Sequence, residues 1–209
     1  MKRLLKTATL LVALLFIAGG LAACAQLKEL GQAVVNLSAC QFKLDSVGNF
    51  SLAGISLAGK TGLSLRDAPK AVAAFASGTL PVSFTLNVAA VNPNNGQGGT
   101  TSTPATLVGL PWTLILDNTI TVGGNLADAV TIPAGGQQTI IPLAVSLDLV
   151  PFFKDQGYEH LLNLALALGG ANGSPARITL RARPEIKTAY GPIRYPKEID
   201  IVDKEFRAQ

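Results

Sequence analysis

The chain has 209 residues, of which 48% are apolar, 14% charged and 6% aromatic, with 21 Gly, 12 Pro, two Cys and one His, and a formal net charge of +4. Charge this sparse, against about 25% in an average soluble domain, together with the high apolar share excludes a disordered chain and makes one globular domain the default. One His and two Cys are too few for a His/Cys metal cluster, so no metal or other cofactor is expected.

Lys2, Arg3 and Lys6 precede an unbroken apolar run from Leu10 to Ile17, and small residues then lead to Leu21-Ala22-Ala23-Cys24. A basic start, a short apolar stretch and small residues at a cleavage point read as a secretory signal, too short for a comfortable membrane span. Leu21-Ala22-Ala23-Cys24 resembles, at every position, the lipobox of bacterial lipoproteins. The resemblance implies a lipoprotein signal peptide over 1–23, cleavage between Ala23 and Cys24, and a diacylglyceryl thioether on Cys24. Two or more acyl chains, at about 0.8 kcal/mol per buried CH₂, anchor a protein stably where one does not. Ala25 after the cysteine, rather than Asp, implies by the Gram-negative sorting rule an outer-membrane anchor with the domain facing the periplasm. Loss of the signal lowers the 17 basic residues to 14 against 13 acidic ones, which removes the electrostatic case for nucleic acid. With Cys24 lipidated, Cys40 reads as a small buried hydrophobe; a Cys24–Cys40 disulfide is the alternative.

Leu27, Leu30 and Val34 recur at helical spacing, so 24–41 is expected to form a membrane-proximal tether or short helix ahead of a domain over 42–209. Phe50 and Leu52 alternate in one phase, Ile55 and Leu57 in the other; a β-bulge at Ala53-Gly54 would account for the shift. Gly54 to Thr61 satisfies the P-loop pattern, but that motif needs a helix opening at its end. Gly62-Leu63-Ser64-Leu65 instead alternates like a weak strand, and Leu114-Ile115-Leu116-Asp117 is too common a pattern to supply a Mg²⁺ partner. No nucleotide is expected. Asp67 to Ser77, with Pro69 in the first turn, reads as a helix.

Strands with one buried face are expected over Val82–Val88, Trp112–Leu116, Ile141–Leu149 and Ile178–Ala182, and weaker ones over Ala129–Ile132 and Ile199–Val202. Turn signals stand at Asn92–Thr103, Gly123–Asn125, Pro133–Gly136 and Gly169–Pro175. A second helix from about Phe152 to Leu168 is apolar around most of its circumference, with Gln156, Glu159 and Asn163 as a polar stripe, so it must be deeply buried or lie against an apolar ligand. His160 reads as a helix-surface or capping residue, because no nucleophile stands in a fixed relation to it. Asp200 and Asp203 read as a solvated strand end. No Lys or Arg occurs between Lys70 and Lys154, whereas Arg177, Arg181 and Arg183 share one strand face. The ordinary reading of that strip is a charged guard on an exposed sheet edge. The functional reading is contact with anionic lipid head groups or another acidic envelope surface.

Many short strands separated by Gly/Pro/Asn turns, with only one or two helices, favour an antiparallel sandwich of about seven or eight strands over βαβ units. Asn92-Pro93-Asn94, a strand Leu107–Leu116, a Gly123-Gly124 turn, and Val130-Thr131-Ile132-Pro133-Ala134-Gly135-Gly136 leading into Thr139–Leu149 resemble the LEA type 2 (water stress and hypersensitive response) domain. The resemblance runs from Asp45 to about Phe206, with Phe50–Ile55 as the opening strand; it departs at the loop Gln97–Thr103 and in the helical stretch before Val82. It implies an all-β, immunoglobulin/fibronectin III-like sandwich with a helix, an association with desiccation and other stress, and no catalytic residues. Asn92, Pro93 and Asn94 are then a structural turn: Pro pushes the residue before it toward extended backbone, and Asn side chains bond neighbouring backbone groups. The expected function is that of a non-enzymatic, membrane-anchored lipoprotein with a stress-protective, scaffolding or binding role in the envelope. Its partners would be the membrane, through the acyl chains, and an envelope protein or lipid. The alternative is a periplasmic carrier of a lipid or other apolar ligand, held between the Leu-rich helix and the sandwich in a cavity of some hundreds of Å³.

Overall fold

The computed structural model describes residues 27–57, 60, 62–169 and 177–201. The signal peptide, Ala23 and Cys24, Asp203 and most of the Gly169–Pro175 turn lie outside the described residues. Helix α1 covers 27–39; α2 is Ala68–Ala76 and α3 is Tyr158–Leu168. No helix among the described residues is long and apolar enough to cross a membrane.

Three four-stranded antiparallel sheets make up the rest. The first contains β1 (Gln41–Leu52), β2 (Ile55–Ser56), β3 (Pro81–Val91) and β8 (Gln138–Asp148) in the order β2-β1-β3-β8. The second orders β11 (Gly191–Arg194), β10 (Glu185–Thr188), β4 (Ala105–Gly109) and β7 (Val130–Ile132). The third orders β12 (Ile199–Ile201), β9 (Ile178–Ala182), β5 (Trp112–Leu116) and β6 (Thr119–Gly124).

Twelve strands among the described residues exceed the seven or eight expected from sequence, whereas α2 and α3 are the two helices expected in the domain and α1 lies in the segment expected as a tether or short helix. The continuous strand expected over Leu107–Leu116 is broken at Leu110-Pro111, where proline offers no N–H to a ladder, and its halves join different sheets. The two sheets stay tied at that bend, because Arg183 N–H donates to Pro111 O at 2.9 Å. Asp117 and Asn118 take φ of 45° and 67°, the double left-handed step of a two-residue hairpin, and return the chain as β6. Gly123 and Gly124 therefore lie in β6 rather than in a turn.

The phase shift at Ala53-Gly54 is also a hairpin turn and not a bulge. Their φ values are 48° and 74°, and Leu52 pairs directly with Ile55, so both side chains reach the core. The irregularities of β1 fall earlier, between Leu44 and Ser46 and between Gly48 and Ser51. Leu63–Leu65 is not a strand: residues 65–67 turn into α2, and Leu65 is 96% exposed. α2 itself matches its expected limits, with Asp67 at the N-cap and Pro69 in the first turn.

The buried faces of all three sheets meet in one apolar cluster. β3 lies between β1 and β8 and contributes Val82, Phe84, Leu86 and Val88; β5 and β9 contribute Leu114, Leu116 and Leu180. α3 starts at Tyr158, later than Phe152, because Gly157 adopts an extended N-cap conformation and 154–156 remain turn or irregular chain. Its Leu161, Leu164, Ala165, Leu166 and Leu168 are core residues. Gly169 at its end leaves room for Phe50: a Cβ there would stand 2.7 Å from the ring, which itself stacks on Phe84 at 6.1 Å.

Candidate functional site

The Asn92-Pro93-Asn94 turn forms a buried polar knot at the end of β3. Both asparagines are almost completely inaccessible. Asn92 Nδ2 donates to Thr103 O at 3.0 Å and to Ile132 O at 3.4 Å, while its Oδ1 accepts from Asn94 N–H at 3.2 Å and from Asn94 Nδ2. The same turn receives the next one: Gly136 N–H donates to Asn92 O and Gly135 N–H to Asn94 O. A polar group buried without a partner is costly, so these bonds fix the ends of β3, β4 and β7 relative to one another.

The knot extends to α1, a tie between segments that sequence reasoning did not foresee. Asn94 Nδ2 donates to Asn36 O at 2.8 Å. The Asn36 side chain donates to Thr101 Oγ1 and Thr103 Oγ1 and accepts from Thr101 N–H and Gln32 Nε2, using its full capacity. Gln32 Nε2 also reaches Gly99 O at 2.7 Å. The segment expected as tether or short helix is thus a helix bonded along one face to the 95–103 loop. A cleft of about 170 Å³ separates its Leu30 and Ala33 from Ile186, Thr188 and Tyr190.

The arginines are dispersed in their engagements. Arg177 is exposed, and its N–H donates to Asp117 Oδ1 at 3.1 Å. Arg181 Nε pairs with Asp200 Oδ1 at 3.0 Å across the β9–β12 ladder. Arg183 donates to Tyr195 O at 2.8 Å and to Pro196 O at 3.2 Å. β9 is hydrogen-bonded on both sides, to β5 and to β12, so the edge-guard reading of this strip is corrected: an inner strand has no free edge to protect. Arg181 and Arg183 line an open groove of about 280 Å³ with Trp112, Glu185, Arg194 and Glu198. Arg194 Nε is held by Glu185 Oε1 at 2.6 Å. Two of the three guanidinium groups in this groove are therefore paired with carboxylates, and the third is bonded to backbone.

Cys40 is a free, buried thiol that donates to Asn36 O at 3.5 Å. Burial pushes its pKa up to about 11, and it likewise raises that of Tyr195, with the Cys40 charge as a lesser cause. A folded pKa above the unfolded value of 9.0 stabilises the fold fully below pH 9, and that stabilisation is lost as pH rises toward 11. The stability gap between wild type and Cys40→Ala in urea titrations is thus expected to narrow by about 2–3 kcal/mol between pH 8 and pH 11. A constant gap would mean that the thiol is not desolvated.

Within the P-loop look-alike, Gly54 belongs to the β1–β2 turn, Lys60 is exposed 3.9 Å from Asp67, and among the described residues after Gly54 the next helix opens at Ala68. Asp117 spends its carboxylate on Arg177 N–H. His160 is exposed in the first turn of α3. Among the described residues, no three His, Cys, Asp or Glu side chains gather as a metal site would require.

No family model matches the chain, and no curated protein matches it in sequence. The solved structures similar to it include the following two. A crystal structure of a protein from Archaeoglobus fulgidus is 14% identical, with 78% of this chain and 99% of that chain covered and a TM-score of 0.31. A solution structure of a protein provisionally described as late embryogenesis abundant (LEA) is 15% identical, with 95% of this chain and 87% of that chain covered and a TM-score of 0.34.

Proposed function

We propose that the chain is a non-enzymatic, membrane-anchored lipoprotein whose LEA type 2-like domain has a stress-protective, scaffolding or binding role in the cell envelope, at the outer membrane and facing the periplasm. The observation that carries this reading is the lipobox Leu21-Ala22-Ala23-Cys24, which stands three residues ahead of a helix bonded to the body of the domain. The fold that accompanies it is a sandwich of immunoglobulin/fibronectin III character, with the second and third sheets as one bent layer over the first. The Arg183–Pro111 bond between those sheets and the shared core support this layering. Arg177, Arg181 and Arg183 are proposed as the contact for an acidic envelope surface, which would have to exchange with Asp200 for Arg181.

The carrier reading requires a groove along α3. The leucines of that helix pack into the core, and the 170 and 280 Å³ cavities are lined by other elements, which favours the scaffold. Cys24→Ser is expected to abolish incorporation of radiolabelled palmitate and to release the protein from the membrane fraction. Continued labelling of that variant would refute the anchor.

A further inference from the structure

Covalent geometry limits how far the domain can stand from its lipid. Only Ala25 and Gln26 separate Cys24 from Leu27, a span of at most about 11 Å over three residue steps. α1 cannot act as a longer leash, because Gln32 and Asn36 bond it to Gly99, Thr101 and Thr103, and Leu37 is buried in the core. The first turn of α1 is therefore fixed to the body and held close to the acylated cysteine.

The tip of the β10–β11 hairpin lies beside that turn. Tyr190 and Glu29 line the same cleft under α1. Leu27 is 69% exposed and Tyr190 49%, and Lys28 and Lys187 are exposed with them. An exposed leucine, an amphipathic tyrosine and two long-stemmed cations are the side chains that partition to a lipid–water boundary, with the ammonium groups drawn to anionic head groups.

We propose that Leu27, Lys28, Lys187 and Tyr190 form the face on which the domain rests against its own bilayer, giving it one fixed orientation with the β10–β11 tip at head-group level. This inference rests on the anchoring reading. It places α2 and Leu65 away from the membrane: they lie by the Pro81 end of β3, whose 11 residues span about 36 Å from the Asn92–Asn94 knot that holds α1.

The test uses the lipidated protein, purified from membranes and reconstituted in phosphatidylethanolamine/phosphatidylglycerol vesicles, with one nitroxide label at Tyr190→Cys or at Leu65→Cys. Cys40, being buried, leaves the introduced thiol as the labelled one. The Tyr190→Cys label is expected to lose most of its collisions with an aqueous nickel relaxant on reconstitution, and the Leu65→Cys label to keep them. Equal exposure of the two labels in protein whose mass shows acylated Cys24 overturns the resting face alone. Protein without the acyl mass, left behind when the vesicles float, overturns the anchor and the resting face together.

Discussion

Asn92→Ala is expected to lower the unfolding free energy by about 3–4 kcal/mol. The side chain serves Thr103 O, Ile132 O and Asn94 N–H at a position that is 0% exposed. Truncation leaves those groups without the bonds, and each buried group so abandoned costs about 1–3 kcal/mol. Water cannot fully replace the amide, because the knot is closed over by Asn94, the 133–136 turn and the helix beyond it. Asn95→Ala is the matched control: Asn95 is exposed, its carbonyl merely accepts Gln97 N–H, and its loss should shift stability by no more than about 0.5 kcal/mol. Urea unfolding followed by circular dichroism separates the two. Equal midpoints for Asn92→Ala and Asn95→Ala would show that the turn is not a stabilising knot.

The long strands were legible because each alternates cleanly over many residues: the pattern in Val82–Val88 and Ile141–Leu147 is the one by which β3 and β8 bury one face. α2 was legible for a local reason too, its Asp67 and Pro69 lying at the expected end. The short strands were hidden by local geometry of another kind. β6 is announced only by Asp117-Asn118, two residues that tolerate positive φ and so make a hairpin without a glycine. In sequence Val108, Leu110, Trp112, Leu114 and Leu116 alternate straight through Pro111, which hid the change of buried phase from Leu107 and Gly109 in β4 to Trp112 and Leu114 in β5.

The site divided in the same way. Asn92-Pro93-Asn94 was readable as a turn, since its bonds to neighbouring backbone are local. Its tie to Asn36, 58 residues earlier, was not, because long-range partners leave no periodic trace. The alternation of Arg177, Arg181 and Arg183 suggested a shared face, but only Arg181 lies within β9, and only Arg181 and Arg183 line one groove. It could not tell that β12 would cover the far side of β9 and that Asp200 would stand opposite Arg181.

Position, more than hydrophobicity, decides what a leucine contributes here, and two substitutions of the same chemistry make that measurable. Leu86→Ala is expected to cost about 3–4 kcal/mol, and Leu65→Ala under about 0.5 kcal/mol. Leu86 is 0% exposed on the middle strand of the first sheet, in register with Val47 on one side and Leu143 on the other. Removing its three outer carbons forfeits transfer free energy of about 0.8 kcal/mol per group and leaves a hole. β3 is hydrogen-bonded along both edges, so its backbone cannot shift inward to close that hole, which places the cost in the upper part of the usual range. Leu65 is 96% exposed and has nothing comparable to lose. Urea titrations should show a lower midpoint for Leu86→Ala with an unchanged slope, as expected when a core is loosened and the unfolded chain is unaltered. A midpoint for Leu86→Ala within error of that for Leu65→Ala would mean that β3 does not lie at the centre of the core.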